Sequence, residues 1–252
     1  MPALLLLLIP LGLVGLLAAA KAKANGRAED QLDGAKPDGG PMPAPTTGNR
    51  ARLRCAVAAA GVDDAWLRFM EQTAHRESRF SPRAANTSTG EAAAARRGAG
   101  RWRELIATAG YPHAAWEFGS GGWYGFLPSS AFIDGRTASF RYPLAFVREV
   151  GPNGVHQMGV SVASALAYAK GLTRWPNFKG SWASLNVGWG NPGRMGNPEA
   201  IAESARKLED RAAQLGWPRG WAMDPVTPLP SRSPAELVTL ARAAQRAAEA
   251  CG

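Results

Sequence analysis

The chain has 252 residues, 46% of them hydrophobic, which excludes an intrinsically disordered protein and allows one sizeable core with an appendage. A net charge of +9 and a pI near 10.1 favour an anionic partner: a wall polymer, an anionic lipid or a nucleic acid. No nucleic-acid motif accompanies the local cluster of basic residues formed by Arg96, Arg97, Arg101 and Arg103. A solvated basic face is therefore favoured, and no specific nucleic acid is expected as a partner.

The chain begins with an apolar stretch. Residues 3–20 carry no charge, and these 18 residues lie between the core of an export signal and a transmembrane helix of about 20 residues. Lys21 and Lys23 follow the stretch within small-residue patterns typical of signal cleavage, and no basic residue precedes it. Residues 1–24 are predicted to be a membrane anchor or an export signal, and the anchor is favoured. The positive-inside rule alone would keep the remainder of the chain cytoplasmic.

A second N-terminal segment, residues 25–50, is rich in Gly, Pro and Asp and has no apolar periodicity. This composition predicts a flexible linker.

From residue 51 onward the apolar spacing is helical and strand signals are few, so the predicted fold class is mainly α. A first helix is predicted to begin after Asp63, an N-cap residue. The sequence Ser-Pro-Ala-Glu at Ser233 predicts a capping box at the start of the last helix. Helices are predicted in the following further segments: 101–109, 155–172, 181–187, 197–216 and 233–248.

An acidic residue interrupts the apolar face of the helix that follows Asp63. Steps of four and three place on one face Trp66, Met70, Thr73, Glu77 and Phe80. Desolvation there favours the neutral form of a carboxyl, which a general acid needs. The alternative is a surface acid paired with Arg76 or Arg79. A catalytic Glu77 is favoured, because a buried charge is costly unless it is paired.

Three segments resemble motifs of one enzyme family, in the family's order. Residues 77–84 read Glu-Ser-Arg-Phe-Ser-Pro-Arg-Ala, which resembles Glu-Ser-x-Phe-x-Pro-x-Ala of the soluble lytic transglycosylases and goose-type lysozymes (motif 1). Residues 122–131, Gly-Trp-Tyr-Gly-Phe-Leu-Pro-Ser-Ser-Ala, are similar to its Gly-Leu-Met-Gln-x-x-Pro-Ser-Thr-Ala (motif 2). Residues 185–195, Leu-Asn-Val-Gly-Trp-Gly-Asn-Pro-Gly-Arg-Met, are similar to its Tyr-Asn-Ala-Gly-Pro-Gly-Arg-Val (motif 3). The resemblance covers roughly residues 60–200.

The resemblance implies a lysozyme-like catalytic domain over residues 51–216, with a Pro-rich connector and C-terminal helix over 217–252. It implies Glu77 as the catalytic acid and peptidoglycan glycan strands as the substrate, cleaved between N-acetylmuramic acid and N-acetylglucosamine. Two-carboxylate glycosidases need a second acid. No motif supplies one, and no pattern supports the possible residues, which are Asp134, Glu117 and Glu149. Since the family uses one Glu as acid and then as base to form an anhydro sugar, a lytic transglycosylase is favoured over a hydrolase.

The chain departs from the family at three motif positions. Gly125 occupies the place of the Gln in motif 2, and Leu185 that of the Tyr in motif 3, which helps to orient the acid. Tyr124 or Trp189 are candidates for the role of that Tyr. Arg194 matches the family only if the three residues before it are an insertion.

Other motif residues are expected to bind substrate. Sugar rings pack on aromatic rings, so aromatic side chains in glycine-flanked motifs suit a glycan cleft, although core packing is the alternative for each. Core packing is favoured for Trp175 and Trp182. The residues expected to contact the glycan are Ser78, Trp123, Tyr124, Trp189 and Asn191.

No metal or cofactor is expected. His75, His113 and His156 lack the spacing of metal ligands, and no glycine loop has the context of a phosphate-binding site. Cys55 and Cys251 are too few for a disulfide framework. They can pair in an oxidising compartment, but two separate thiols are favoured, because Cys251 is penultimate.

Two other functions compete with catalysis. The absent Gln and Tyr favour a non-catalytic wall-binding or structural component of a virion or secretion apparatus. The basic surface allows DNA binding with a steep salt dependence. For the enzyme, the resemblance implies a membrane-anchored protein of the cell envelope or periplasm, or of a virion membrane if it is phage-encoded.

The segment between motifs 1 and 2 is about 30 residues longer than in the family. The simplest arrangement is an excursion that leaves the cleft wall after Asn86 and returns at Gly121-Gly122. Such an excursion is a lid over the cleft or an idle surface loop.

Overall fold

A computed structural model describes residues 47–86 and 88–252. The predicted anchor, residues 1–24, and most of the predicted linker lie outside the described residues. Within the described ranges, no helix combines the length and the apolar character needed to cross a membrane.

The fold is mainly α, as predicted. The α-helices of the described residues are α1 Thr47–Ala58, α2 Asp64–Ser78, α3 Thr89–Arg101, α4 Arg103–Ala107, α5 Pro128–Phe132, α6 Leu144–Val150, α7 Met158–Leu172, α8 Trp182–Gly190, α9 Pro198–Gln214 and α10 Pro234–Ala250. Short 3-10 helices cover His113–Trp116, Pro152–His156 and Pro192–Arg194. Two antiparallel strand pairs complete the fold: β1 (Ala85–Asn86) with β2 (Ser120–Gly121), and β3 (Ile133–Asp134) with β4 (Ser139–Phe140).

The pairing of β1 with β2 closes the predicted excursion. Ala85 lies opposite Gly121 and Asn86 opposite Ser120, so the chain leaves and returns at the predicted positions. The excursion contains α3 and α4, whereas one helix over 101–109 was expected. Ser88 caps α3 by accepting a hydrogen bond from Glu91 N. Its Ser-Thr-Gly-Glu sequence and the alanines that follow are helix signals that the prediction missed.

Helices α2 and α7 lie at the centre of the core. On α2 the aromatic and apolar side chains of Trp66, Phe69 and Met70 are buried. On α7, 11 of the 15 residues are buried, since this helix is apolar on most of its circumference. Helix α10 approaches α7 so closely that a methyl group at Gly159 would lie 2.0 Å from the carbonyl oxygen of Ala241.

Local capping signals place several helix ends correctly. The Asp63 side chain accepts a hydrogen bond from Trp66 N at 2.9 Å, and Asn197 caps α9 in the same way. The capping box between Ser233 and Glu236 is present. The helix predicted from residue 155 begins instead at Met158, after the 3-10 helix that starts at Pro152.

The predicted linker boundary at residue 50 is wrong by four residues, because α1 begins at Thr47. Tertiary contacts hold this start. Asn49 Nδ2 donates a hydrogen bond to Phe80 O at 3.1 Å, and Arg50 forms an ion pair with Glu71.

The C-terminal segment 217–252 packs into the same core as the rest of the described chain. Its buried residues include Trp221, Leu229 and Leu240. A disulfide joins Cys55 on α1 to Cys251 at the end of α10, so the favoured expectation of two separate thiols is wrong. Packing of α10 against α1 brings these residues together across 196 positions of sequence.

Candidate active site

Glu77 lies in the last turn of α2, where the helix meets the surface. Its side chain is 24% exposed, whereas Met70, Thr73 and Phe80 of the same predicted face are buried. The helix ends directly after it, because Arg79 and Phe80 adopt left-handed backbone angles, with φ of 51° and 63°. Glu77 therefore borders the core and remains accessible from solvent.

The Glu77 carboxylate is paired with the neighbouring guanidinium. Arg76 donates hydrogen bonds to Oε1 of Glu77 from Nε at 2.8 Å and from Nη2 at 2.5 Å. The expectation of an unpaired carboxyl among apolar groups is wrong, and the alternative, pairing with Arg76, is what the structure shows.

The same guanidinium connects motif 1 to motif 3. Nη1 of Arg76 donates to Oδ1 of Asn186 at 2.7 Å. Asn186 Nδ2 in turn donates to Oγ of Ser204 at 2.8 Å, and the Ser204 hydroxyl donates to the carbonyl of Ala183 at 3.0 Å. Asn186 and Ser204 are both buried, so this network is held inside the fold between α2, α8 and α9.

Motif 2 contacts the other oxygen of Glu77. Gly125 has a φ of 59°, and a methyl group there would lie 2.8 Å from Oε2 and 3.3 Å from Cβ of Glu77. Only glycine suits both this backbone angle and this close approach. Glycine is therefore required at residue 125 of this chain, since any side chain would collide with the carboxylate.

Ser78 holds the end of α2 against motif 2. Its hydroxyl lies 2.9 Å from Ala74 O and 3.0 Å from Trp123 O, and the residue is buried. It therefore positions the backbone next to Glu77, and the structure does not present it to a ligand.

The three aromatic residues expected to stack on sugar rings lie in the core. Trp123, Tyr124 and Trp189 are 2%, 0% and 5% exposed. Trp189 belongs to helix α8 and packs against Phe69 and Tyr124, so it is not in a cleft loop. The expectation of exposed stacking surfaces is wrong for these rings, and the alternative of core packing holds, as it does for Trp182.

Neither candidate for the family's orienting Tyr is joined to Glu77 by a hydrogen bond within the described residues. Burial, followed by the charge of Glu71, raises the pKa of Tyr124 well above its ordinary value. Its hydroxyl has no hydrogen-bond partner in the described part of the chain.

Asn191 has a local structural role at the end of α8. Its Oδ1 accepts a hydrogen bond from Gly193 N at 3.1 Å and caps the 3-10 helix Pro192–Arg194. The three residues before Arg194 form this turn.

The possible second acids have local partners of their own. Asp134 accepts hydrogen bonds from Arg136 N and the Thr137 hydroxyl. In each of two further contacts an acid pairs with a basic residue: Glu117 with His113, and Glu149 with Arg242.

Sequence reasoning missed a buried acid on the same helix. Glu71 is fully buried; it pairs with Arg50 and accepts a hydrogen bond from Trp217 Nε1 at 2.8 Å. No local signal distinguishes it from a surface acid, because both partners come from distant parts of the chain. The sequence indicated Arg76 only as an ion-pair partner in the alternative interpretation of Glu77. No sequence pattern indicated a role for Ser204.

A groove of about 510 Å³ lies elsewhere, and none of the predicted site residues lines it. Its walls come from α9 and the following connector, and include Arg206, Glu209, Arg219 and Met223.

Comparison of the chain with protein-family models, with curated proteins and with solved structures found no match. The family resemblance of the three motifs therefore stays a prediction, and the function is argued from the residues around Glu77.

Proposed function

We propose that this chain is a peptidoglycan-cleaving glycosidase with a lysozyme-like domain, in which Glu77 is the single general acid and base. The observation that carries the proposal is the meeting of three separate motifs at one carboxyl group. The Gly125 backbone of motif 2 lies so near Oε2 of Glu77 that an added methyl group would be 2.8 Å from it, and Asn186 of motif 3 holds the guanidinium that binds Oε1.

The geometry around Glu77 suits proton transfer. Arg76 anchors Oε1, while Oε2 faces a glycine backbone, and the side chain is 24% exposed. A substrate oxygen can therefore reach a carboxyl whose orientation is set in advance, which is a condition for efficient general acid catalysis.

One acid is sufficient for a lytic transglycosylase. Glu77 donates its proton to the glycosidic oxygen, and the bond from that oxygen to C1 of N-acetylmuramic acid breaks. The carboxylate then takes the proton of the C6 hydroxyl of the same sugar, and the C6 oxygen bonds to C1, forming an anhydro ring without water.

The substitution Glu77→Gln tests this function on purified murein sacculi. We expect the rate of muropeptide release to fall by about 10²–10⁴-fold, the usual contribution of a general acid. Glu117→Gln, which removes an acid paired with His113, is the matched control and should retain activity. Sacculi digested equally fast by wild type and Glu77→Gln would refute the proposal.

Mass analysis of the released muropeptides separates the two reaction types. A transglycosylase produces anhydro-muramyl ends that are one water lighter than the reducing ends produced by a hydrolase. Reducing ends alone would keep Glu77 as the acid and assign the chain to the lysozymes.

The second candidate is a non-catalytic wall-binding component, and two observations favour it. Glu77 is ion-paired, and the expected stacking rings Trp123, Tyr124 and Trp189 are buried. Sedimentation of the protein with sacculi, without loss of turbidity and without released muropeptides, would support this function over catalysis. In either case we propose the cell envelope or a virion membrane as the location.

A further inference from the structure

We infer that Arg76 is the positioning residue of Glu77 and that Asn186 acts on Glu77 through it. This inference rests on the proposed function, because it takes Glu77 as the acid and base. The motif comparison identifies no residue that orients Glu77, since Leu185 occupies the place of the family's orienting Tyr and is fully buried in the core. The inference assigns that role to Arg76.

The three nitrogens of the Arg76 guanidinium contact two different side chains. Nε and Nη2 bind Oε1 of Glu77, and Nη1 binds Asn186 at 2.7 Å. Arg76 and Glu77 are adjacent, so their side chains leave the helix about 100° apart, and Arg76 must fold along α2 to reach the carboxylate. The third contact fixes it in that conformation, because a guanidinium is planar and its donors have fixed directions.

The network behind Arg76 is buried and each step is hydrogen-bonded. The Arg76 side chain is 12% exposed, and Asn186 and Ser204 are buried behind it. The network ends at the backbone carbonyl of Ala183 in α8, which is part of a rigid element. A buried network whose members are all satisfied holds a single geometry.

This arrangement distinguishes the two oxygens of the acid. Oε1 is held by Arg76, so Oε2, which faces Gly125, is the oxygen that exchanges protons with the substrate. If Arg76 only stabilised the fold, its substitution would lower the unfolding temperature and leave kcat unchanged. If Arg76 positions Glu77, its substitution lowers kcat.

The test measures kcat, KM and thermal unfolding for Arg76→Gln, Asn186→Ala and the double variant on soluble glycan strands. We expect Arg76→Gln to lower kcat about 10- to 100-fold while KM stays within about twofold, as for a misplaced catalytic group. The double variant should be no slower than Arg76→Gln, because Asn186 acts through Arg76. Guanidinium chloride at concentrations that do not unfold the protein should restore part of the kcat of Arg76→Ala.

Arg68→Gln is the matched control, since Arg68 lies on the same helix and stacks on Trp217 and Trp221. It should retain the wild-type kcat. If Arg76→Gln does not fold, Ser204→Ala tests the far end of the network and should lower kcat with KM unchanged.

The outcomes separate this inference from the proposed function. Wild-type kcat in folded Arg76→Gln, together with an inactive Glu77→Gln, would overturn the positioning role and leave the function intact. Additive effects of Arg76→Gln and Asn186→Ala would overturn the action of Asn186 through Arg76. Equal rates for wild type and Glu77→Gln would overturn both the function and the inference.

Discussion

Helix α2 carries two acids in opposite settings, Glu71 at its midpoint and Glu77 six positions later in its last turn. Glu71 is fully buried, and both its oxygens are bonded, Oε1 to Arg50 and Oε2 to Trp217. Glu77 is 24% exposed, and hydrogen bonds from the described residues reach only Oε1. A buried acid whose two carboxylate oxygens both accept hydrogen bonds from the protein stabilises the fold. An acid with one oxygen free of such bonds and a partly exposed side chain can take part in catalysis.

The covering elements explain this difference. Helix α1 and the segment after α9 close over Glu71, and they bring a cation and an indole donor with them. The last turn of α2 meets the glycine backbone of motif 2, and the Glu77 side chain there stays 24% exposed. The predictions below test whether stability and activity separate along this helix.

The largest expected effect concerns the disulfide that joins α1, the helix that covers Glu71, to the end of α10. Its loop of 196 residues corresponds to about 5 kcal/mol in the chain-entropy model. The double substitution Cys55→Ser and Cys251→Ser should lower the free energy of unfolding by an amount of this order, measured in denaturant. Its kcat at a temperature where it is folded should stay near the wild-type value. An unchanged free energy of unfolding would contradict this prediction.

The next effect tests the two acids directly. Glu71→Gln removes the charge that accepts hydrogen bonds from Arg50 and Trp217, and such charged hydrogen bonds are worth about 1.5–3 kcal/mol. We expect a clear drop in the unfolding temperature with kcat retained in the folded fraction. Glu77→Gln is the counterpart and should lose kcat in the folded protein, and it also leaves the Arg76 guanidinium, which is 12% exposed, without its carboxylate. Loss of kcat in folded Glu71→Gln would break the comparison.

A pH effect arises between the two acids, at His75. Burial, then the charges of Arg79, Arg211 and Arg50, lower the pKa of His75 from 6.5 to about 4. The unfolded state then binds more protons than the folded state between these values. Stability is therefore lost as the pH falls from 6.5 towards 4, by at most about 1.4 kcal/mol per pH unit. The free energy of unfolding, measured in denaturant across this pH range, should change less with pH for His75→Gln than for the control His113→Gln.

The smallest effect on stability is expected at the Glu77 end. Gly125→Ala forces a side chain into a left-handed backbone angle, which costs about 1–2 kcal/mol. It also places a methyl group against the carboxylate, so kcat should fall. Gly61→Ala is the matched control, because Gly61 has a φ of 67° with no atom within 4 Å of the added methyl. Similar kcat losses in both variants would show that backbone strain, and not the contact with Glu77, is responsible.

Some features of the site are predictable because their causes are local. The cap at Asp63 and the spacing of apolar residues place Glu77 on a helix, and the motif boundaries place the excursion between Asn86 and Gly121, whereas the end of that helix at Ser78, before Phe80, was not predicted. The ion pair with Arg76 was predicted only as an alternative, because the contact of Arg76 with Asn186, 110 positions away, is not visible in the local sequence.

The sequence by itself determined the mainly α class, the capping of its helices and the position of Glu77 on α2, because these depend on interactions within a few residues. Only the tertiary structure decided that Trp123, Tyr124 and Trp189 are core residues and that the two cysteines pair. Residues 146 positions apart, such as Glu71 and Trp217, interact only after the helices pack. That packing depends on the complementary shapes of whole faces, which no local pattern records.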